Sequence, residues 1–152
     1  EIGMIFVIVI MCCCVGGLGL AYMGGNLEIA EQGPTPTPED IYWVIYENIR
    51  ASNYEDIDRY MSTIHSRSPG YQVTKNGIED IFSDYDLSYR VSNLRVIEQE
   101  KNSAKIYFVL TTKRINGPAF RDNRVYGEMT LRKEDGRWKI YNQDINNVEY
   151  LD

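Results

Sequence analysis

The chain has 152 residues, of which 43% are hydrophobic, and it carries 16 basic against 22 acidic residues for a formal net charge of −6. This length is enough for one domain of ordinary size. The acidic balance argues against a nucleic-acid-binding protein, which would need clustered positive charge. We therefore expect one domain with no nucleic-acid partner, and the scattered acidic residues are typical of a solvated surface.

An uncharged run extends from Ile2 to Leu27. A helix rises ~1.5 Å per residue, so this run exceeds the roughly 20 residues needed to cross a ~30 Å hydrocarbon core. The pattern predicts a transmembrane anchor at residues 1–27. A cleaved signal peptide fits less well, because the apolar part is long and no basic segment precedes it. A pilin-like filament subunit, with this helix packed in the filament core, is a further alternative.

All three cysteines, Cys12, Cys13 and Cys14, lie inside this run. Consecutive positions on a helix point about 100° apart, so the trio lacks the spacing of a metal site. We interpret these residues as small members of a membrane helix, with acylation of the thiols as an alternative. The remainder of the chain must fold without disulfides.

Residues 28–38 become polar and end in alternating proline and threonine. Such a segment favours extended polyproline geometry and can span roughly 34 Å at ~3.1 Å per residue. The composition predicts a linker that holds the following domain, residues 39–152, away from the bilayer. Exposed stalks of this kind favour an extracytoplasmic location, and Thr35 or Thr37 is an alternative site for a sugar.

Three amphipathic helices are predicted after the linker. The first begins at Pro38 and ends near Ala51, the second is capped by Ser52 or Asn53, and the third begins at Thr74. The apolar stripe of the first comprises Ile41, Val44, Ile45, Tyr46 and Ile49. The stripe of the second comprises Ile57, Tyr60, Met61 and Ile64. The stripe of the third comprises Ile78, Ile81, Phe82 and Tyr85.

The second half changes its apolar period from 3.6 to 2, which predicts half-buried strands. Inward positions on the middle strands are Ala104, Ile106, Phe108, Leu110, Val125, Gly127, Met129 and Leu131. A last strand at residues 137–141 turns Trp138 and Ile140 inward. In a regular first strand, Leu87 and Leu94 would face opposite sides of the sheet, because one position is odd and the other even. A bulge near Ser92–Asn93 is expected to bring both to one buried face and to bend the strand.

This order of elements, together with segments 58–65, 68–71 and 136–140, resembles the nuclear transport factor 2-like superfamily, which includes SnoaL-like cyclases and ketosteroid isomerases. The resemblance covers residues 39–144. It implies an α+β fold in which three helices pack on a curved, mostly antiparallel four-stranded sheet. This is a cone-shaped, cystatin-like roll with a pocket between helices and sheet.

Enzymes of this superfamily place a carboxylate or a His–Asp pair in the pocket to move a proton beside a carbonyl. The candidates here are His65 and Asp84 as a base and Tyr60 as a hydrogen-bond donor. His65 is the single histidine, and a histidine at a helix end more often caps that end or lies on the surface. Asp84 equally fits ordinary turn chemistry. A catalytic pair is therefore not predicted.

The inward strand positions instead predict an apolar interior, and the ligand-binding candidates are Phe108, Leu110, Met129 and Trp138. No metal-ligand spacing or phosphate-binding glycine loop is present, so no metal or cofactor is expected. The opposite sheet face is a candidate homodimer contact, because members of this superfamily often pair there. Its predicted residues are Tyr107, Val109, Thr130 and Tyr141.

The favoured hypothesis is a membrane-tethered, non-enzymatic domain that binds a small apolar ligand or a protein partner. A small-molecule isomerase, dehydratase or cyclase of the same fold is the first alternative. The pilin-like filament subunit is the second.

Overall fold

The computed structural model describes residues 38–151. Three helices, α1 (Pro38–Asn53), α2 (Ile57–Ser62) and α3 (Tyr71–Asp84), precede four strands. The strands are β1 (Asp86–Gln99), β2 (Ser103–Asn116), β3 (Asn123–Glu134) and β4 (Arg137–Tyr150). They form one antiparallel sheet in the order β1-β2-β3-β4. The predicted α+β architecture is confirmed.

The predicted transmembrane anchor, and with it the filament alternative, lies outside the described residues, as does the linker up to residue 37. Among the helices of residues 38–151, none combines the length and apolar character that crossing a bilayer requires.

Helix α1 buries one face against the sheet and exposes the other. Ile41, Val44 and Ile45 are at most 2% exposed. Tyr46, predicted to widen this stripe, is 55% exposed, and the prediction was wrong. Position 46 lies about 140° around a 3.6-residue helix from Ile41, so it points away from the core. Asn48, and not Tyr46, extends the buried face.

The predicted cap of α2 is also wrong. Asp56 is the cap, and its carboxylate accepts a hydrogen bond from the Arg59 backbone N–H at 3.0 Å. Ser52 and Asn53 are used elsewhere, because α1 continues through both. The Ser52 hydroxyl donates to the Asn48 carbonyl at 2.9 Å, and the Asn53 side chain bonds the backbone of Tyr89 in β1.

Helix α3 starts at Tyr71, three residues before the predicted start at Thr74. The Thr74 hydroxyl donates backward to the Gly70 carbonyl at 2.8 Å, so Thr74 lies in the first turn and does not cap it. Ile78 and Ile81 are buried, as the helical spacing predicts.

The sheet follows the predicted alternation of buried and exposed positions except in the middle of β2. There Val109, predicted to face outward, is 3% exposed, and Leu110, predicted to face the core, is only half-buried. Phe108, Met129 and Trp138 share one core cluster with the buried face of α1. The pairing of β1 with β2 shifts register between Ser92 and Arg95, and Asn93 adopts a φ of 53°. The predicted bulge is therefore confirmed.

Strand β4 extends to Tyr150, nine residues beyond its predicted end. The added stretch is rich in asparagine and lacks clear alternation, but it remains paired with β3 as far as Asn123↔Tyr150. Near its start, β4 is covered by the segment after α2. The backbone N–H of His65 donates to the Ile140 carbonyl, and the backbone N–H of Ile140 donates to the Thr63 carbonyl.

Candidate functional site

A small interior cavity lies between the helices and the inner face of the sheet. Its volume is about 50 Å³, and all three helices and all four strands contribute to its wall. Pockets for small organic ligands usually hold about 300–1,000 Å³. In this conformation the interior cavity has space for ordered water but not for a ligand of ordinary size.

Three of the four predicted ligand-binding residues, Phe108, Leu110 and Met129, line the interior cavity. Trp138 is buried but lies outside its wall. The reason is the short hairpin between β3 and β4, which places Trp138 opposite Lys133 near the closed end of that pair. There the Lys133 ammonium lies 5.1 Å from the centre of the Trp138 ring.

Two tyrosine hydroxyls are among the polar groups of the cavity wall, which also include the side chains of Asn48, Ser52, Thr112, Asn123 and Gln143. The Tyr60 hydroxyl is hydrogen-bonded to Asn48, and burial raises the pKa of Tyr60 to about 12. The Tyr89 hydroxyl is buried and has no hydrogen-bond partner among residues 38–151. Burial, and to a smaller extent the nearby Tyr60, raises the pKa of Tyr89. Both phenols therefore stay neutral at physiological pH.

Replacing each of these two tyrosines by phenylalanine gives a matched pair of variants. Tyr60→Phe is expected to lower the free energy of unfolding by about 1 kcal/mol, because it removes a satisfied buried hydrogen bond. Tyr89→Phe is expected to leave the stability unchanged or raise it, since the lost hydroxyl has no protein partner. Urea denaturation of both variants measures the difference. If Tyr89→Phe proves as destabilising as Tyr60→Phe, the Tyr89 hydroxyl has a partner in solution.

The three catalytic candidates are not brought together. Tyr60 lines the interior cavity, whereas His65 lines a separate surface depression of about 280 Å³. Asp84 is exposed at the end of α3 and lines neither. His65 is only 2% exposed, so its side chain is buried at the wall of this depression. Its Nδ1 accepts a hydrogen bond from the Arg67 backbone N–H at 3.0 Å and lies 3.6 Å from Glu134 Oε1.

A larger depression, the outer groove, lies on the sheet face opposite the helices. Its volume is about 620 Å³, within the range of small-molecule sites. It is lined by Ser88, Arg90, Ser92 and Asn93 of β1, Val109, Thr111 and Lys113 of β2, and Arg124 and Tyr126 of β3. Strand register explains the arrangement, because Arg90 pairs with Thr111 and Thr111 pairs with Arg124.

The outer groove is cationic although the chain as a whole is acidic. Arg124 is paired with Glu149 at 3.3 Å, and the Tyr126 hydroxyl donates to the same carboxylate at 2.7 Å. Within residues 38–151, Arg90 and Lys113 have no carboxylate partner. Hydroxyl groups lie between the cations, and the buried side chain of Val109 contributes to the lining. The arrangement suits a ligand that is anionic and accepts hydrogen bonds.

Sequence reasoning placed Val109 on this face but missed the cations. Alternation alone predicts that Arg90, Lys113 and Arg124 point outward, yet their proximity depends on the register of three strands. The other predicted dimer residues lie outside the outer groove, and two of them are covered by arginine. The Arg95 guanidinium lies 5.2 Å from the Tyr107 ring centre, and that of Arg132 lies 3.7 Å from the Tyr141 ring centre. In the described part of the chain, no cluster of His, Cys, Asp and Glu side chains could hold a metal ion.

Comparison with known proteins assigns the family. Residues 43–151 match the family described as anti-sigma-I factor RsgI9, C-terminal domain. The chain belongs to this family. Anti-sigma-I factor RsgI9 of Acetivibrio thermocellus is 34% identical over 109 residues, which are 72% of this chain. The chain spans only about 15% of the length of that relative.

Solved structures similar to this RsgI9 C-terminal family member support the fold. A nuclear transport factor 2-like protein from Shewanella oneidensis has a TM-score of 0.55 and 17% identity over 72% of this chain and 98% of its own. A protein with a cystatin-like fold from Nostoc punctiforme has a TM-score of 0.57 and 16% identity over 70% and 86%. Aln2 from a Streptomyces species has a TM-score of 0.61 and 12% identity over 74% and 93%. At these identities the likeness shows the fold alone, and the predicted nuclear transport factor 2-like fold is confirmed.

Proposed function

We propose that this chain is a membrane-tethered, non-catalytic regulatory domain of an anti-sigma-factor system that binds a protein partner through the outer groove. The regulatory part of the proposal rests on the family match over residues 43–151. Residues 2–27 serve as the tether, and the proline- and threonine-rich composition of the linker supports an extracytoplasmic location for the domain. The domain then receives a signal on one side of the membrane that affects a sigma factor on the other.

The relative sizes of the two depressions favour the outer groove as the binding surface. The interior cavity of about 50 Å³ is too small for a ligand of ordinary size, whereas the outer groove of about 620 Å³ lies open on the sheet face. The described residues that line the groove include no carboxylate and three cations, of which Arg124 is paired with Glu149. Charge complementarity therefore selects an acidic segment of the partner, and binding should weaken as salt is added.

Reversing the charge of the outer groove should have the same effect on transcription as deleting the domain. The assay is transcription from a promoter read by the sigma-I factor, in cells carrying the natural full-length protein. Deletion of residues 38–151 is expected to change the output several-fold. The double variant Arg90→Glu with Lys113→Glu should give the same change, because it replaces attraction for an acidic partner by repulsion.

A matched control carries the same change in charge elsewhere. Lys75 lies on α3 and Arg137 is exposed at the start of β4, and neither lines the outer groove. Lys75→Glu with Arg137→Glu should retain the output of the natural protein. If the deletion leaves transcription unchanged, the regulatory role is wrong. If the deletion changes the output but the groove variant behaves like the natural protein, the regulatory role stands and the outer groove is not the site.

A small apolar ligand in the interior cavity is a second candidate, and the unpaired Tyr89 hydroxyl is the observation that favours it. Binding would require the cavity to expand and would supply an acceptor for this hydroxyl. The test is a thermal denaturation series with phenol as the probe. Stabilisation of the natural protein that is reduced in Tyr89→Phe would support this candidate, and no shift in either protein would contradict it.

A further inference from the structure

The solvent-facing side of α1 carries an aromatic stripe, which we define as Trp43, Tyr46, Arg50 and Tyr54. The three aromatic side chains are 64%, 55% and 70% exposed, respectively. Tyr54 follows the last residue of α1, but its backbone N–H still donates to the Arg50 carbonyl at 3.1 Å, so it keeps a helical position. A solvated helix face is normally charged or polar. Three large aromatic residues here require an explanation.

The stripe is narrow and points directly away from the core. At 3.6 residues per turn, its four positions fall within an arc of about 80°. The buried residues Ile41, Val44 and Ile45 occupy the other side of the helix. The Arg50 guanidinium lies 6.0 Å from the centre of the Tyr54 ring. The stripe therefore combines amphipathic aromatic rings with one cation on a single surface.

This composition matches the interfacial region of a bilayer. Tryptophan and tyrosine are enriched at the level of the lipid headgroups, where their rings contact both apolar and polar groups. Arginine is attracted to anionic headgroups. The position of α1 in the chain agrees with a membrane contact, because α1 begins at Pro38 and the uncharged run ends at Leu27. The segment between them spans roughly 34 Å in polyproline geometry, which sets a reach and not a fixed distance, so α1 can contact any bilayer crossed by residues 2–27.

We propose that the aromatic stripe of α1 docks on the headgroup layer of the membrane and fixes the orientation of the domain. This inference rests on the proposed tether. The sheet packs on the opposite side of α1, and the outer groove lies on the far face of that sheet. Docking through the stripe thus directs the groove away from the bilayer toward a protein partner. The tether raises the local concentration, so a small contact surface is sufficient.

The fluorescence of the two tryptophans of the chain tests this proposal. Trp43 belongs to the stripe, whereas Trp138 is 6% exposed and serves as an internal reference. The full chain is reconstituted in vesicles of phosphatidylcholine and phosphatidylglycerol, with or without lipids brominated just below the headgroup. Subtracting the emission of Trp43→Phe from that of the natural chain gives the Trp43 signal. We expect brominated lipid to remove about half of that signal, because the ring lies at interfacial depth.

A double variant and its control test the rest of the stripe. Tyr46→Ser with Tyr54→Ser should reduce the quenching of Trp43, whereas Val73→Ser, which removes an exposed apolar residue from α3, should not. If the chain fails to float with vesicles, both the tether and the docking are wrong. If it floats but Trp43 is not quenched, the docking alone is overturned. A blue-shifted Trp43 that lipid does not quench would indicate a contact between protein chains and would equally overturn it.

Discussion

Gly127→Ala is expected to lower the free energy of unfolding by about 2–4 kcal/mol. A Cβ at this position would lie 2.5 Å from the Asp144 carbonyl oxygen and 3.0 Å from Phe108 Cζ. The carbonyl belongs to β4, next to the residue paired with Gly127, so it cannot retreat without disturbing the β3–β4 ladder. The Phe108 ring is also buried in the core.

Gly77→Ala is the matched control. Gly77 lies within α3, and an added Cβ would meet nothing within 4 Å. Alanine is favoured over glycine in a helix interior, so this variant should gain about 0.5–1 kcal/mol. Urea denaturation of both variants measures the two changes. A Gly127→Ala protein as stable as the natural one would show that β3 and β4 do not approach as described.

Asn48→Ala is expected to cost about 2–4 kcal/mol. The Asn48 Nδ2 donates to the Thr63 hydroxyl at 2.8 Å, and this hydroxyl donates to the Tyr60 carbonyl at 2.6 Å. Asn48 also bonds the Tyr60 hydroxyl. The variant leaves the Tyr60 hydroxyl without its partner inside the core and breaks a connection between α1 and the segment that covers β4.

An exposed asparagine controls for the loss of an amide. Asn76 on α3 accepts a hydrogen bond from Gln72 at 2.8 Å at the surface. Asn76→Ala is expected to change the stability by less than about 0.5 kcal/mol, because water replaces the lost bond. Equal effects of the two variants in urea would contradict the buried network.

The local periodicity of the chain predicted much of the fold. Alternation along β2 and β3 reports which side chains face the core, and the parity change between Leu87 and Leu94 predicted the bulge that Asn93 forms. These features depend on neighbours along one strand. The extension of β4 was missed because its asparagine-rich end is held by pairing with β3 and not by its own pattern.

The predictions from sequence were wrong or incomplete where a side chain contacts a residue that is distant along the chain. Ser52 and Asn53 resemble helix caps, but one bonds within α1 and the other bonds β1. Three of the four predicted ligand-binding residues line the interior cavity and Trp138 does not, because inward parity identifies the buried face but not the position along it. The cations of the outer groove come from three strands, so their proximity required the register.

Photo-crosslinking from Thr111 tests most directly whether the outer groove binds a protein. Thr111 is flanked in the groove by its strand partners Arg90 and Arg124, and a benzophenone amino acid at this position in the natural full-length protein reports on what occupies it. Gln72, exposed on α3, is the control position. We expect an adduct with one other protein from position 111 that is lost in Arg90→Glu and absent from position 72. Adducts with lipid alone, or none from position 111, would contradict the proposed binding surface.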